Sequence, residues 1–217
     1  AKKAFIGLPN NMLHAGVFVQ AVSLKKDINE VKAALKVLSL SSKKEVWLNF
    51  LILYAQLKPN GDNEFIKYLD QMIKKHPADK DFIYLKRSVV IGQSRIIEAQ
   101  KISKIALEFF NSQRYAEAGI EYEKASQIDS LEYSHFENAA SAYYMSGDYG
   151  QSLLNSDKVI FKFQPKTGKS EYLKALVLLN YGDEIKSCEL LKNAIHYGYH
   201  SAEQLFKERC KETISPN

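Results

Sequence analysis

The stretch FENAASAYYMSGDYGQSLLNS, residues 136–156, decides the fold. Phe136, Ala139, Ala140 and Tyr143 fall at i, i+3, i+4 and i+7, one stripe of an amphipathic helix. Gly147-Asp148 then makes a short polar turn, and Ser152 and Ser156 put small side chains on one face of the helix that follows. Parts of this design return along the chain. Tyr115 recurs as Tyr149 after 34 residues, Ala125 as Val159 after 34 and as Ala194 after 35, and Gly147-Asp148 as Gly182-Asp183 after 35. Two helices per period, with a stripe that one pair cannot bury alone, predict units that stack on one another.

In the preceding period Ile102-x2-Ile105-Ala106-x2-Phe109 fills a first helix and Ala118-x3-Tyr122 a second, with Ala125 after it. The following one reads Ala175-x2-Leu178, Gly182-Asp183, Ser187-x3-Leu191 and Ala194, with Glu171 and Lys174 where apolar residues are expected, so its first turn is expected to fray or pack differently. This pattern resembles the tetratricopeptide repeat, W-x2-L-G-x2-Y, then A-x3-F, then P. The resemblance implies an all-α, right-handed α-solenoid with repeats at 99–132, 133–167 and 168–199 and a capping helix at 200–212 carrying Ala202, Leu205, Phe206 and Cys210. Trp47-x2-Phe50-Leu51-x2-Tyr54 with Pro77 resembles a degenerate unit at 44–79, inside an N-terminal helical region of residues 1–98.

Upstream, Asp27 with Glu30 reads as a capping box before the stripe Val31, Leu35, Leu38, and Ser42 with Glu45 repeats the device. A helix through Val46, Trp47, Phe50, Leu51, Tyr54 and Leu57 stops at Pro59-Asn60-Gly61; its partner, 63–75, uses Phe65, Ile66, Leu69, Met72 and Ile73 and ends at His76-Pro77. Further helices are expected over 12–24, 79–91 and 93–112, with Gly92 as the break between the last two.

Composition agrees with a folded chain: 46% apolar and 25% charged residues, with ten glycines and five prolines among 217 residues, exclude disorder and collagen-like structure. No window approaches a membrane span; the best, Val46 to Leu57, is broken by Asn49 and Gln56. The +5 charge is uneven, +7 over residues 1–100 and −2 over the rest, but its lysines come as scattered doublets. A solvated basic surface fits better than a nucleic-acid interface. The chain begins at Ala1 rather than Met, which reads as a processed protein or a piece of a longer one.

Catalytic patterns are weak. Thr167-Gly168-Lys169-Ser170 looks like the tail of a phosphate-binding loop, but Phe163 stands where that motif needs glycine, and a turn between repeats is the better reading. His196 and His200, with Cys188 and Cys210 nearby, invite a zinc reading, yet Gly198 should separate the histidines. His14, His76 and His135 read as isolated surface residues. Glu117, Glu121 and Glu123 read as a solvated helix face rather than paired acid and base. Neither a nucleophile motif nor a dinucleotide fingerprint is present, so no enzyme activity, cofactor or metal is expected.

The family resemblance implies a protein-interaction module, a scaffold or assembly factor that holds a peptide or helix of another protein in a concave groove. Carried over from the family, the groove positions are Lys104, Leu107 and Asn111, then Asn138, Ser141 and Tyr144, then Lys169, Tyr172 and Leu176. Lys104-x3-Glu108 and Lys169-x3-Leu173 break the paired pattern with which chaperone-binding members clamp a terminal carboxylate, so that ligand is not expected. Two other readings stand beside this one: a recruiting region of a larger enzyme or envelope complex, and RNA binding through the basic N-terminal half.

The closing segment resembles that of bacterial repeat proteins, some envelope-associated, which carry one cysteine in the last repeat and another near the end. With Tyr199 at a helix turn, Cys188 lies 11 residues before it and Cys210 11 after, at the same height in an antiparallel pair. A disulfide, which implies an oxidising compartment such as the periplasm, and two buried thiols both fit.

Overall fold

The computed structural model describes residues 1–39, 42–77 and 79–210, and among these there are helices and no strands. The chain divides into two compact units, Ala1–Gln93 and Ser94–Asn217. The sequence puts this boundary at 98–99; the structural division lies next to Gly92, whose φ of +87° separates two helices.

The first unit contains α1 (Lys2–Gly7), α2 (Met12–Lys25), α3 (Ile28–Val37), α4 (Lys44–Leu57), α5 (Asn63–Lys75) and α6 (Lys80–Val90). Its starts follow capping chemistry. Asn11, Asp27, Asp62 and Asp79 each accept hydrogen bonds from the first backbone N–H groups of the helix that follows. At α4 the expectation fails: Lys43 is the N-cap, without a side-chain bond, and Ser42 is buried rather than capping with Glu45. Asp27 likewise bonds the amide of Asn29, not that of Glu30.

Val31, Leu35 and Leu38 are buried as their spacing requires, and so are Val46, Trp47, Phe50, Leu51 and Tyr54. Rings fill this core: Phe5 lies 4.9 Å from Phe50 and 5.3 Å from Phe18 between centroids, and Tyr54 stacks on Phe65 at 4.5 Å. α4 packs chiefly on α2 and α3 and far less on α5, unlike the tight helix pairs of the second unit. Leu51, fully buried where a repeat needs a small residue, leaves no room for close approach between α4 and α5.

The second unit stacks α7 (Gln93–Asn111), α8 (Tyr115–Ile128), α9 (Tyr133–Ser146), α10 (Tyr149–Lys158, continued as a π-helical turn Val159–Phe163), α11 (Lys169–Asn180), α12 (Glu184–His196) and α13 (Ser201–Arg209). This is the tetratricopeptide arrangement: α9 pairs with α10 and α11 with α12, α13 packs on α12 as the cap, and α7 meets α8 through Ala106 and Ala118. Residues 211 and 212 of the expected cap lie outside the described residues.

Small side chains set the approach of each pair. Ala106 and Ala118 are fully buried in one cluster. In the next pair the Ser152 hydroxyl donates to the Ala140 carbonyl at 2.9 Å, and in the third Ser187 donates to Ala175 at 3.0 Å. The repeat thus returns a backbone bond as well as a packing contact. Ile105, on the stripe of the first pair, remains 45% exposed, because no earlier repeat of this unit covers its side.

Candidate functional site

The first helices of the pairs, α7, α9 and α11, carry all nine positions expected to line a groove. Lys104, Leu107 and Asn111 lie exposed on α7 at spacings of three and four, one face of the helix. Asn138, Ser141 and Tyr144 on α9 and Lys169, Tyr172 and Leu176 on α11 are half-buried, again one face each. The structure joins α9 to α11 directly, the Lys169 ammonium donating to the Asn138 side-chain carbonyl at 3.1 Å. Among the described residues no hydrogen bond or ion pair links the α7 residues to the other six.

Tyrosines flank the α9–α11 junction. Tyr144 lies 5.7 Å from Tyr149 between ring centroids, and Tyr149 lies 6.1 Å, edge-on, from Tyr181. Tyr172 lies 5.1 Å from Tyr199, and its phenol is pushed up, first by burial and then by the neighbouring Tyr199 and Tyr144. Ser141 spends its hydroxyl within its own helix, on the carbonyl of Glu137.

The Thr167-Gly168-Lys169-Ser170 turn grips α9. Thr167 and Ser170 both donate to one carboxylate oxygen of buried Glu137, at 3.0 and 3.2 Å, while Lys169 reaches Asn138. Gly168, at φ +75°, sits so close to α12 that a Cβ would come within 2.6 Å of the Ala194 carbonyl oxygen. Lys169 and Ser170 bond across to the preceding repeat, Thr167 bonds back within its own, and Gly168 packs on the second helix of the repeat it opens, so the segment serves as a turn between repeats. Burial, with Glu137 nearby, pushes the Glu171 carboxyl up. Lys174, the other charge on the stripe, pairs with Asp157 at 2.5 Å, so the third repeat fills its apolar positions with a half-buried acid and an ion pair. Glu137 escaped the sequence reading, since it falls outside the repeat positions; the hydroxyls of Thr167 and Ser170 were its only signal.

The acidic residues of α8 are engaged structurally. Glu117 pairs with Arg114, Glu121 with Lys124, and Glu123 accepts the Tyr143 hydroxyl at 2.8 Å. Gly119 makes that last contact possible, because a Cβ there would lie 2.8 Å from the Tyr143 ring. His135 is buried, which corrects its reading as a surface residue. His196 and His200 are exposed on either side of Gly198, at φ +82°.

Cys188 on α12 and Cys210 after α13 form a disulfide, their Cα atoms 5.7 Å apart. The bridge closes over Ala175, Leu191, Ala194 and Ala202 and ties the cap to the last repeat.

No family model matches the sequence, and no curated protein matches it by sequence. Several solved structures are similar in fold. A tetratricopeptide repeat protein from Parabacteroides merdae is 18% identical with a TM-score of 0.45, over 97% of this chain and 90% of that one. The TPR2AB domain of yeast Sti1, in its complex with pHSP90, is 13% identical with a TM-score of 0.49, over 91% of each chain. The TPR domain of P58(IPK) is 18% identical with a TM-score of 0.42, over 92% of this chain and 56% of that one. The tetratricopeptide architecture of the second unit rests on its own recurrent close approaches at 106/118, 140/152 and 175/187.

Proposed function

We propose that the second unit is a protein-interaction module that holds an extended peptide or a helix of another protein along α7, α9 and α11. The observation that carries this reading is the junction of α9 and α11. Asn138 and Lys169 meet there at 3.1 Å, both half-buried, with Tyr144 and Tyr172 beside them. An amide and an ammonium offer backbone-directed hydrogen bonds, and two phenol rings add rigid apolar contact area. Such a surface suits a main chain better than a reacting small molecule.

In a pull-down with quantitative mass spectrometry, an Asn138→Ala/Tyr144→Ala variant should lose the partners that the wild-type protein retains. A variant that melts normally and keeps every partner would overturn the groove assignment. Affinity that does not change between low and high salt would speak against nucleic acid as the ligand.

A further inference from the structure

In the first unit, α2 is apolar on two opposite faces and only one of them is covered. Ala15, Phe18 and Val22 turn inward and are buried. On the other side Leu13, Val17 and Leu24 lie within about 40° of one another around the helix axis. They are 73%, 48% and 82% exposed. Ile6 and Leu8, ahead of α2, are exposed as well, Leu8 lining one concavity with Leu13, and Gln20 is the polar side chain between Val17 and Leu24. A helix apolar all round belongs inside a core, so an open face of this kind calls for a cover.

Charge indicates which cover. Residues 1–26 contain no aspartate or glutamate, while lysines stand at both ends of the stretch, Lys2 and Lys3 before it and Lys25 and Lys26 after it. Lys2 is engaged with Glu30 at 2.8 Å, leaving Lys3, Lys25 and Lys26 exposed. Lys43, also exposed, lines the same concavity as residues 7–13. Aliphatic side chains with few hydrogen-bonding groups, framed by unopposed ammonium groups, match a boundary between acyl chains and anionic headgroups. No helix among the described residues is long and apolar enough to cross a membrane, so the contact would lie in the plane of the interface.

We infer that the exposed face of α2, with Ile6 and Leu8, docks onto an anionic lipid surface. The inference is independent of the groove on the second unit. The test is flotation of the full chain with phosphatidylcholine vesicles, with and without phosphatidylglycerol, at physiological and at high salt. The wild-type protein should partition onto the phosphatidylglycerol vesicles at least about tenfold more than onto neutral ones, and high salt should erase most of the difference. Leu13→Ser/Leu24→Ser should weaken binding about tenfold or more, and Lys25→Glu/Lys26→Glu should act similarly, both with unchanged circular dichroism, because all four side chains are solvent-exposed. A wild-type protein that stays out of both vesicle types, or a leucine variant that floats as well as wild type, would overturn the inference. So would a dimer in sedimentation velocity that the leucine variant dissociates while lipid binding is absent, since that face would then pair two copies of the chain.

Discussion

The two units solve the same problem, burying helices, with opposite materials. The first fills its core with the large rings of Phe5, Phe18, Trp47, Phe50, Tyr54, Phe65 and Phe82. The second brings its helices together over Ala106, Ala118, Ala139 and Ala142 in one cluster and over Ala175, Ala194 and Ala202 in another. Large rings specify a core by volume, and volume is a property of the assembled bundle. Small residues specify it by distance between two backbones, and that requirement returns at each repeat.

The covalent link lies in the unit with the smaller side chains. Closing a loop across a separation of 22 residues stabilises by about 3 kcal/mol in the chain-entropy account. Reduction, or a Cys188→Ser/Cys210→Ser variant, should therefore give the largest local loss. It should appear as faster amide hydrogen exchange in α11–α13, with α4 and α5 keeping their protection. A count of free thiols in denaturant, on protein purified without reductant, should find none; two reactive thiols would remove the bridge.

This contrast explains what the sequence made legible. The helix pairs from residue 102 onward could be read because Ala106, Ala140 and Ala175 sit at near-constant offsets, as do Ala118, Ser152 and Ser187. The helices of the first unit could be located from their caps and stripes, but not their partners: nothing in the order of Trp47, Phe50 and Leu51 says that α4 packs on α2 and α3. The proposed groove positions were legible only through the family resemblance, and each set of three falls on one face of its helix. The hub that secures the third repeat was not, since Glu137 precedes its partners Thr167 and Ser170 by about thirty residues with no pattern between them.

The first unit has a hub of its own at Asp62, and it sharpens the comparison through pH. Its carboxylate caps α5 through the Phe65 amide at 2.9 Å and accepts the Tyr54 hydroxyl at 2.8 and 2.9 Å. Lys58 and Lys32 donate to it at 2.8 and 3.2 Å. Burial raises the acid, but the bonds from Lys58, the Phe65 amide, Tyr54 and Lys32 outweigh it and hold Asp62 well below its ordinary value of 3.8. Burial, with the same contact, pushes Tyr54 up to about 12. A depressed acid stabilises the fold above its unfolded value, and that stability is lost as pH falls through and below about 4. Asp62→Asn, which keeps the shape and the cap, should cost about 1 to 2 kcal/mol at neutral pH. The gap from wild type should close on acidification. A constant gap at all pH values would assign the loss to packing rather than charge.

The smallest effects test the repeat itself at the turn inside each helix pair. Gly147 and Gly182 hold φ of +83° and +79°, and the residue at the matching place in the first pair is Gln113, at +60°. Nothing lies within 4 Å of where a Cβ would sit on either glycine, so a side chain there meets no neighbour and its cost is conformational. Gly147→Val and Gly182→Val should each lose about 1 kcal/mol or more, because a β-branched residue is strained in the left-handed region. At Gln113 the strain is already present. Gln113→Gly should relieve it at the expense of a freer unfolded chain, for a net gain of about 0.5 kcal/mol. Urea midpoints at constant slope measure all three. Opposite signs at equivalent positions would show that one backbone requirement governs the three turns. A Gln113→Gly variant that loses stability would show instead that the glutamine side chain supports its turn in a way the other repeats do not share.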